Sequence, residues 1–321
     1  MNHETYTVRV AAKKIEAIDV CSFELVSIDG NQLPPFSAGS HVDVHVPGGL
    51  TRQYSLCNDS AESHRYLIGV LNDPATRGGS KAMHEALHEG DELVISAPKN
   101  HFQIVYEARR SVLLAGGIGI TPILCMAERL ATTGADFELH YCTRSPARTA
   151  FKSRIERSAF ASKAQFHFDD GEAAQKLDAG ALLAAPLHGT FLYVCGPKGF
   201  MDWVLGTARA NGWPDAQLRY EFFSAEVAVH DADASFEVKL ASSGRVVVVA
   251  RDKTVAQALA EAGVEVPTSC EQGVCGTCIT RVIDGEPDHR DMFLTPAEQR
   301  ANDQFTPCCS RAKSAMLVLD L

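Results

Sequence analysis

The chain has 321 residues, enough for two or three domains with cores of their own. Its 45 % hydrophobic and 22 % charged residues are ordinary for a globular protein, and a formal net charge of −10 argues against nucleic acid or an anionic membrane as partner while permitting docking to a basic patch on another protein. No basic segment followed by an apolar core opens the sequence and no apolar run approaches a membrane span, so a reducing cytoplasm is the expected setting for its ten cysteines.

Residues 1–105 read as β-rich. Strands are expected over 6–10, 41–46, 53–57, 66–71 and 92–96; the second alternates with period two and stops at the turn cluster Pro47-Gly48-Gly49. Short strands with Gly/Pro punctuation suggest an antiparallel barrel. One helix over 80–88 interrupts them, preceded by Arg77-Gly78-Gly79 and opened by Ser80. The free N–H groups of such a first turn suit an anion, although a plain capped helix is the alternative.

From 106 to 226 the pattern changes. A strand over 111–115 runs into Gly116-Gly117-Ile118-Gly119-Ile120-Thr121-Pro122 and a helix to about 131, the arrangement that presents a helix N-terminus to a pyrophosphate. Pro122 stands where a Rossmann fingerprint has its third glycine, so the motif alone is weak. Strand-then-turn-then-helix units beginning at 137 and at 191, the latter containing Cys195-Gly196-Pro197, make this an α/β domain with a parallel sheet. An Ala/Asp-rich stretch, 227–235, reads as a linker. In the last domain, 236–321, strands over 236–240 and 246–250 form a hairpin, and Thr254-x-x-Gln257 opens a helix with a capping box.

The most informative stretch is Cys270-x4-Cys275-x2-Cys278, followed after 29 residues by Cys308. Four thiolates at that spacing, with Gly273 and Gly276 freeing the backbone to turn N–H groups inward, fit a plant-type [2Fe-2S] cluster. Zinc sites usually come as two separated pairs, a redox pair does not need Cys270, and a Rieske centre needs two histidines. Cys309, next to Cys308, leaves the fourth ligand open between neighbours, and the gap favours Cys308. Cys21, Cys57, Cys125, Cys142 and Cys195 are scattered singly, as small hydrophobes are. A cluster carries one electron at a time and nicotinamide delivers two, so a chain linking them needs a converter, usually a flavin.

Arg52-Gln53-Tyr54-Ser55 resembles the flavin motif of the ferredoxin–NADP reductase superfamily, residues 116–122 and Cys195-Gly196-Pro197 resemble its nicotinamide motifs, and the C-terminal domain resembles a plant-type ferredoxin with a β-grasp α+β fold. That order, and the segments 54–59, 115–122, 288–292 and 310–314, resemble the phthalate dioxygenase reductase family, which includes vanillate demethylase reductases; the likeness covers the whole chain. The resemblance implies FMN held by Arg52, Gln53, Tyr54 and Ser55, with Gly69 nearby, Tyr54 stacking and Gly78, Gly79 and Ser80 at the phosphate. It implies NADH facing Gly117, Gly119 and Thr121, with Cys195, Gly196 and Pro197 beside the nicotinamide and Glu221 and Phe223 beside the flavin. Ser55, Cys195 and Glu221 would stand nearest the reacting atoms, and Cys270, Cys275, Cys278 and Cys308 would hold iron.

One position departs from that pattern. Where an acid would hold the ribose hydroxyls of NADH the chain reads Thr143-Arg144-Ser145-Pro146-Ala147-Arg148, so Arg144 or Arg148, with Ser145, could take the 2′-phosphate of NADPH, unless another nearby acid fulfils the role. The implied function is the NADH-dependent reductase of a two-component Rieske non-haem iron oxygenase for aromatic acids. Two alternatives stand beside it: a cytochrome P450 or other oxygenase as acceptor, and a carrier whose cluster is reduced by a separate reductase.

Overall fold

A computed structural model of the chain describes residues 4–73, 78–223 and 233–321. They form two compact units, Met1–Glu221 and Phe222–Leu321. Among the described residues no helix is long and apolar enough to cross a membrane.

The first unit holds two sheets. One is antiparallel, built from β1 (Thr5–Ala17), β2 (Val20–Ser27), β3 (Ser40–Val46), β4 (Leu50–Ser55), β5 (Tyr66–Leu71), β6 (Glu92–Ser96) and β7 (Lys99–Asn100). Its strands run β4-β3-β6-β1-β2-β5, with β7 on β3. A bridge between Leu56 and Ile68, with the Cys57 N–H donating to Leu67 at 2.8 Å, joins the outer strands and closes a barrel. Period-two alternation sends Val42, Val44 and Val46 inward against Phe23, Leu25 and Tyr66. The one helix, α1 (Gly79–Glu85), covers an end of this core with Met83.

The second sheet is parallel, in the order β10-β9-β8-β11-β12. Its elements are β8 (Arg110–Gly116), α2 (Ile120–Thr132), β9 (Phe137–Thr143), α3 (Lys152–Glu156), β10 (Ala164–Phe168), α4 (Ala179–Leu182), β11 (Thr190–Cys195), α5 (Lys198–Ala210) and β12 (Leu218–Glu221). Helix α2 is buried on nearly every side from Ile120 to Ala127, as a helix enclosed between two layers must be. Two glycines show how tightly the barrel meets it. A Cβ on Gly69 would lie 2.8 Å from the Thr121 methyl, and one on Gly39 would lie 1.9 Å from the Phe102 carbonyl oxygen and 3.0 Å from Met126.

The second unit is a mixed sheet, β14-β13-β19-β15-β17, in which only β13 and β19 are parallel. Its elements are β13 (Phe236–Leu240), β14 (Val246–Val249), α6 (Val255–Glu261), β15 (Thr280–Asp284), β16 (Pro287–Asp288), α7 (Pro296–Ala301), β17 (Gln304–Phe305), β18 (Arg311–Ala312) and β19 (Met316–Leu319); β16 and β18 pair separately. Val255, Ala258 and Leu259 of α6 pack on the sheet, the α+β arrangement expected for this region. The stretch 227–232 of the expected linker lies outside the described residues. Asp233 belongs to the unit's frame: Arg290 donates to both its carboxylate oxygens, at 2.9 and 2.5 Å.

Candidate functional site

The first candidate site lies on β4. Arg52 is buried and donates to its neighbour's carbonyl, Thr51 O, at 2.7 Å. Its side chain lies against the start of α1, where a Cβ on Gly79 would fall 2.8 Å from the guanidinium Nε. Gly78 takes φ +103°, a left-handed conformation, and Ser80 Oγ accepts the Asp73 N–H at 3.3 Å. A cation, a glycine turn and the N–H groups of a helix's first turn thus converge, a donor set that fits a phosphate. Gln53 donates to Asp43 at 2.8 Å, and Lys99 pairs with the same carboxylate at 2.7 Å. Burial raises the Tyr54 phenol above its ordinary range, so it presents a neutral ring. Ser55 is buried opposite His41, whose imidazole is pushed down to about 4, chiefly by burial, and whose Nε2 has no partner.

The second candidate is an open cleft of about 690 Å³ at the C-terminal ends of β8, β9, β10 and β11, lined by Gly116, Gly117, Thr143, Arg144, Asp169 and Pro197 among others. Two close approaches shape its floor. A Cβ on Gly119 would fall 2.2 Å from the Cys195 carbonyl oxygen, and one on Gly196 would fall 3.0 Å from Gly116 Cα. Thr121 is buried and donates to Ile118 O at 3.0 Å, so its hydroxyl braces the turn. On neighbouring strands Cys195 stands in register with Glu221. Burial, then the Glu221 charge, hold the Cys195 thiol well above its ordinary range. Burial also raises Glu221 to about 8, and its Oε2 is closed off from solvent without a partner. Phe223 is half-buried and belongs to the second unit.

The third candidate is the cysteine loop. Of the four cluster-spaced thiols, Cys270 lies within hydrogen-bonding reach of Cys275, and Cys278 within reach of Cys308, which also meets Cys309. Four cysteines are the ligand set that a [2Fe-2S] cluster takes. The loop turns its N–H groups inward: Gln272 and Val274 toward Cys270, and Gly273 toward Cys308. Left-handed backbone at Glu271, Gly273 and Gly276 makes this possible, and a Cβ on Gly276 would fall 2.4 Å from the Phe293 ring. The Cys270 thiol holds Cys275 down to about 5, and the same bond raises Cys270. Cys309 is buried against Thr306 Oγ1 at 3.2 Å, and its hydrogen bond with Cys308 raises it.

A profile for the 2Fe-2S iron-sulfur cluster binding domain matches residues 238–313. Vanillate O-demethylase oxidoreductase of Pseudomonas sp. (strain HR199) is 59 % identical over 312 residues, covering 97 % of this chain and 98 % of that protein. The solved structure of phthalate dioxygenase reductase, described as a modular structure for electron transfer from pyridine nucleotides to [2Fe-2S], superposes with TM-score 0.82 at 39 % identity, covering 99 % of this chain and 98 % of the other. The chain belongs to the phthalate dioxygenase reductase family. An intact type IV self-sufficient cytochrome P450 monooxygenase also matches, with TM-score 0.80 and 38 % identity over 99 % of this chain and 41 % of its own.

As a member of that family the chain is an oxidoreductase with a barrel, a parallel α/β sheet and a C-terminal iron–sulfur domain. Segments singled out by the resemblance serve its frame as well. In 288–292 and 310–314, Arg290 ties Asp288 to Asp233, and Arg311 donates to the carbonyls of Lys253 at 2.7 Å and Ala234 at 3.0 Å. Asp291 accepts the N–H groups of Phe293 and Leu294, and the Met292 N–H reaches Gly273 O at 2.9 Å, bracing the cysteine loop. Two cleft residues escaped the sequence reading. Asp169 follows β10, beside the end of β9, where its N–H donates to Thr143 O at 3.0 Å. Asp19 reaches the cleft from the β1–β2 turn.

Proposed function

We propose that this chain passes electrons from NADH through FMN and a [2Fe-2S] cluster to a Rieske non-haem iron oxygenase acting on an aromatic acid. The observation that carries the reading is the four-cysteine loop in the same chain as the coenzyme cleft. When bound, the nicotinamide gives a hydride, the flavin divides the two electrons, and the cluster carries them singly. The protein's own part is placement, and no side chain has to act as nucleophile.

Arg52, with Gly78, Gly79 and Ser80 at the start of α1, holds the flavin phosphate, and Gln53, Tyr54 and Ser55 hold the ring, Ser55 nearest the reacting nitrogen. Gly69 and Thr121 shape the approach of barrel to cleft. Gly117, Gly119, Gly196 and Pro197 bring the coenzyme backbone close; Cys195 borders the nicotinamide. Glu221, whose buried Oε2 has no partner, would stand beside the reacting rings. Asp169 takes the ribose hydroxyls, which removes the argument for NADPH based on Arg144 alone. Cys270, Cys275, Cys278 and Cys308 are the iron ligands, and Cys309 is not. Ten cysteines without a disulfide among them suit a reducing cytoplasm.

Reconstitution tests the partner. The purified chain, mixed with NADH and a vanillate-type Rieske oxygenase, should drive substrate-dependent oxygen uptake that requires both proteins. Electron delivery to a P450 haem with none to the Rieske protein would replace this reading with the P450 one, which the 38 % identity to a self-sufficient P450 favours.

A further inference from the structure

One wall of the coenzyme cleft is contributed by the flavin barrel. The β1–β2 turn brings Ile18 and Asp19 to it, next to Leu71 and Asn72 at the end of β5. This turn is fixed from both sides: the Ile18 N–H donates to Ala147 O at 3.0 Å, and Asp19 O accepts the Asn72 N–H at 2.7 Å. Asp19 adopts φ +64°, a left-handed conformation that costs most residues energy and that Asn and Asp tolerate best. Its carboxylate meets Arg148 Nη1 at 2.9 Å, and both residues line the cleft.

The pair is 47 % and 40 % exposed, and exposed ion pairs add little to stability. Its effect on a ligand is larger. Arg148 lies on the segment that follows β9, where a phosphate on the adenosine ribose would need a cation. With Asp19 on that guanidinium, the cation is already neutralised and a carboxylate stands at its side.

We infer that Asp19 is a coenzyme-selecting residue: from the flavin barrel it holds Arg148 in an ion pair, so that the 2′-phosphate of NADPH meets a neutralised cation and a like charge. This rests on the reading of the cleft as the coenzyme site, and it assigns selection jointly to Asp169, just after β10, and Asp19, in the β1–β2 turn of the barrel.

The experiment is calorimetric titration of the flavin- and cluster-loaded protein with NAD⁺ and with NADP⁺, for the parent, Asp19→Asn, Arg148→Ala and the double variant. Asparagine keeps the shape and the left-handed backbone. Removing one negative charge beside a phosphate should tighten NADP⁺ by about tenfold while NAD⁺ changes by less than about twofold. The double variant should lose the gain, because the freed Arg148 is what binds the phosphate. An unchanged NADP⁺ to NAD⁺ affinity ratio, whether both affinities shift together or neither shifts, would make the pair a structural strap and overturn the inference while leaving the cleft assignment standing. A parent that binds neither coenzyme would overturn the cleft assignment and this inference together.

Discussion

Glu221 ends the last strand of the parallel sheet with a carboxylate oxygen that has no partner and no solvent. Burial lifts its pKa from 4.5 to about 8. The unfolded chain releases this proton near 4.5 and the folded protein only near 8, so stability present at acid pH is lost as pH rises across that window. Glu221→Gln should therefore melt several degrees higher than the parent at pH 8 and at the same temperature near pH 4.5; equal melting at both would contradict a buried, unpartnered acid. For Arg52→Ala, flavin content after dialysis should fall, because the guanidinium is the charged group packed on the glycine turn. Cys270, Cys275 and Cys278 stood out in the sequence because their spacing is local, and Arg52, Tyr54 and Ser55 because they resemble a family motif. Asp169 and Asp19 did not, because each reaches the cleft from a strand end that only the fold brings there.

Among elements, the turns between strand and helix matter most. At Gly119 a Cβ would collide with the carbonyl of Cys195, backbone against backbone, and neither can rotate away. Gly119→Ala should cost at least ~2 kcal/mol in urea denaturation and raise the KM for NADH. Helix α6 opens with the expected capping box, Thr254 Oγ1 accepting the Gln257 N–H at 3.2 Å and Gln257 Oε1 accepting the Thr254 N–H at 3.0 Å. Thr254→Ala should lower the stability of the second unit by about 1 kcal/mol, read from its own denaturation transition. Strands marked by Gly/Pro turns, such as β3 and β5, were legible. Strand β2 was not, since the turn before it is Ile18-Asp19, without glycine, proline or asparagine to mark it. Strands β10 and β12 are short edge strands with half-exposed polar residues, which carry little periodic signal. The two-residue strands of the second unit carry still less.

On the scale of the whole molecule, the first unit holds the candidate flavin and coenzyme sites and the second holds the cysteine loop. The division predicts separable defects. Cys275→Ser should abolish the visible absorption of the cluster while NADH still bleaches the flavin, because Cys275 lies in the second unit and the coenzyme cleft in the first; a normal cluster in that variant would show the ligand set to be wrong. Electrons should reach the flavin before the cluster. Anaerobic stopped-flow spectroscopy of the purified protein tests this order most directly, with NADH in one experiment and NADPH in another. NADH should bleach the flavin fast and the cluster after it, and NADPH should react much more slowly. A flavin that neither coenzyme reduces, or a cluster bleached before the flavin, would contradict this order.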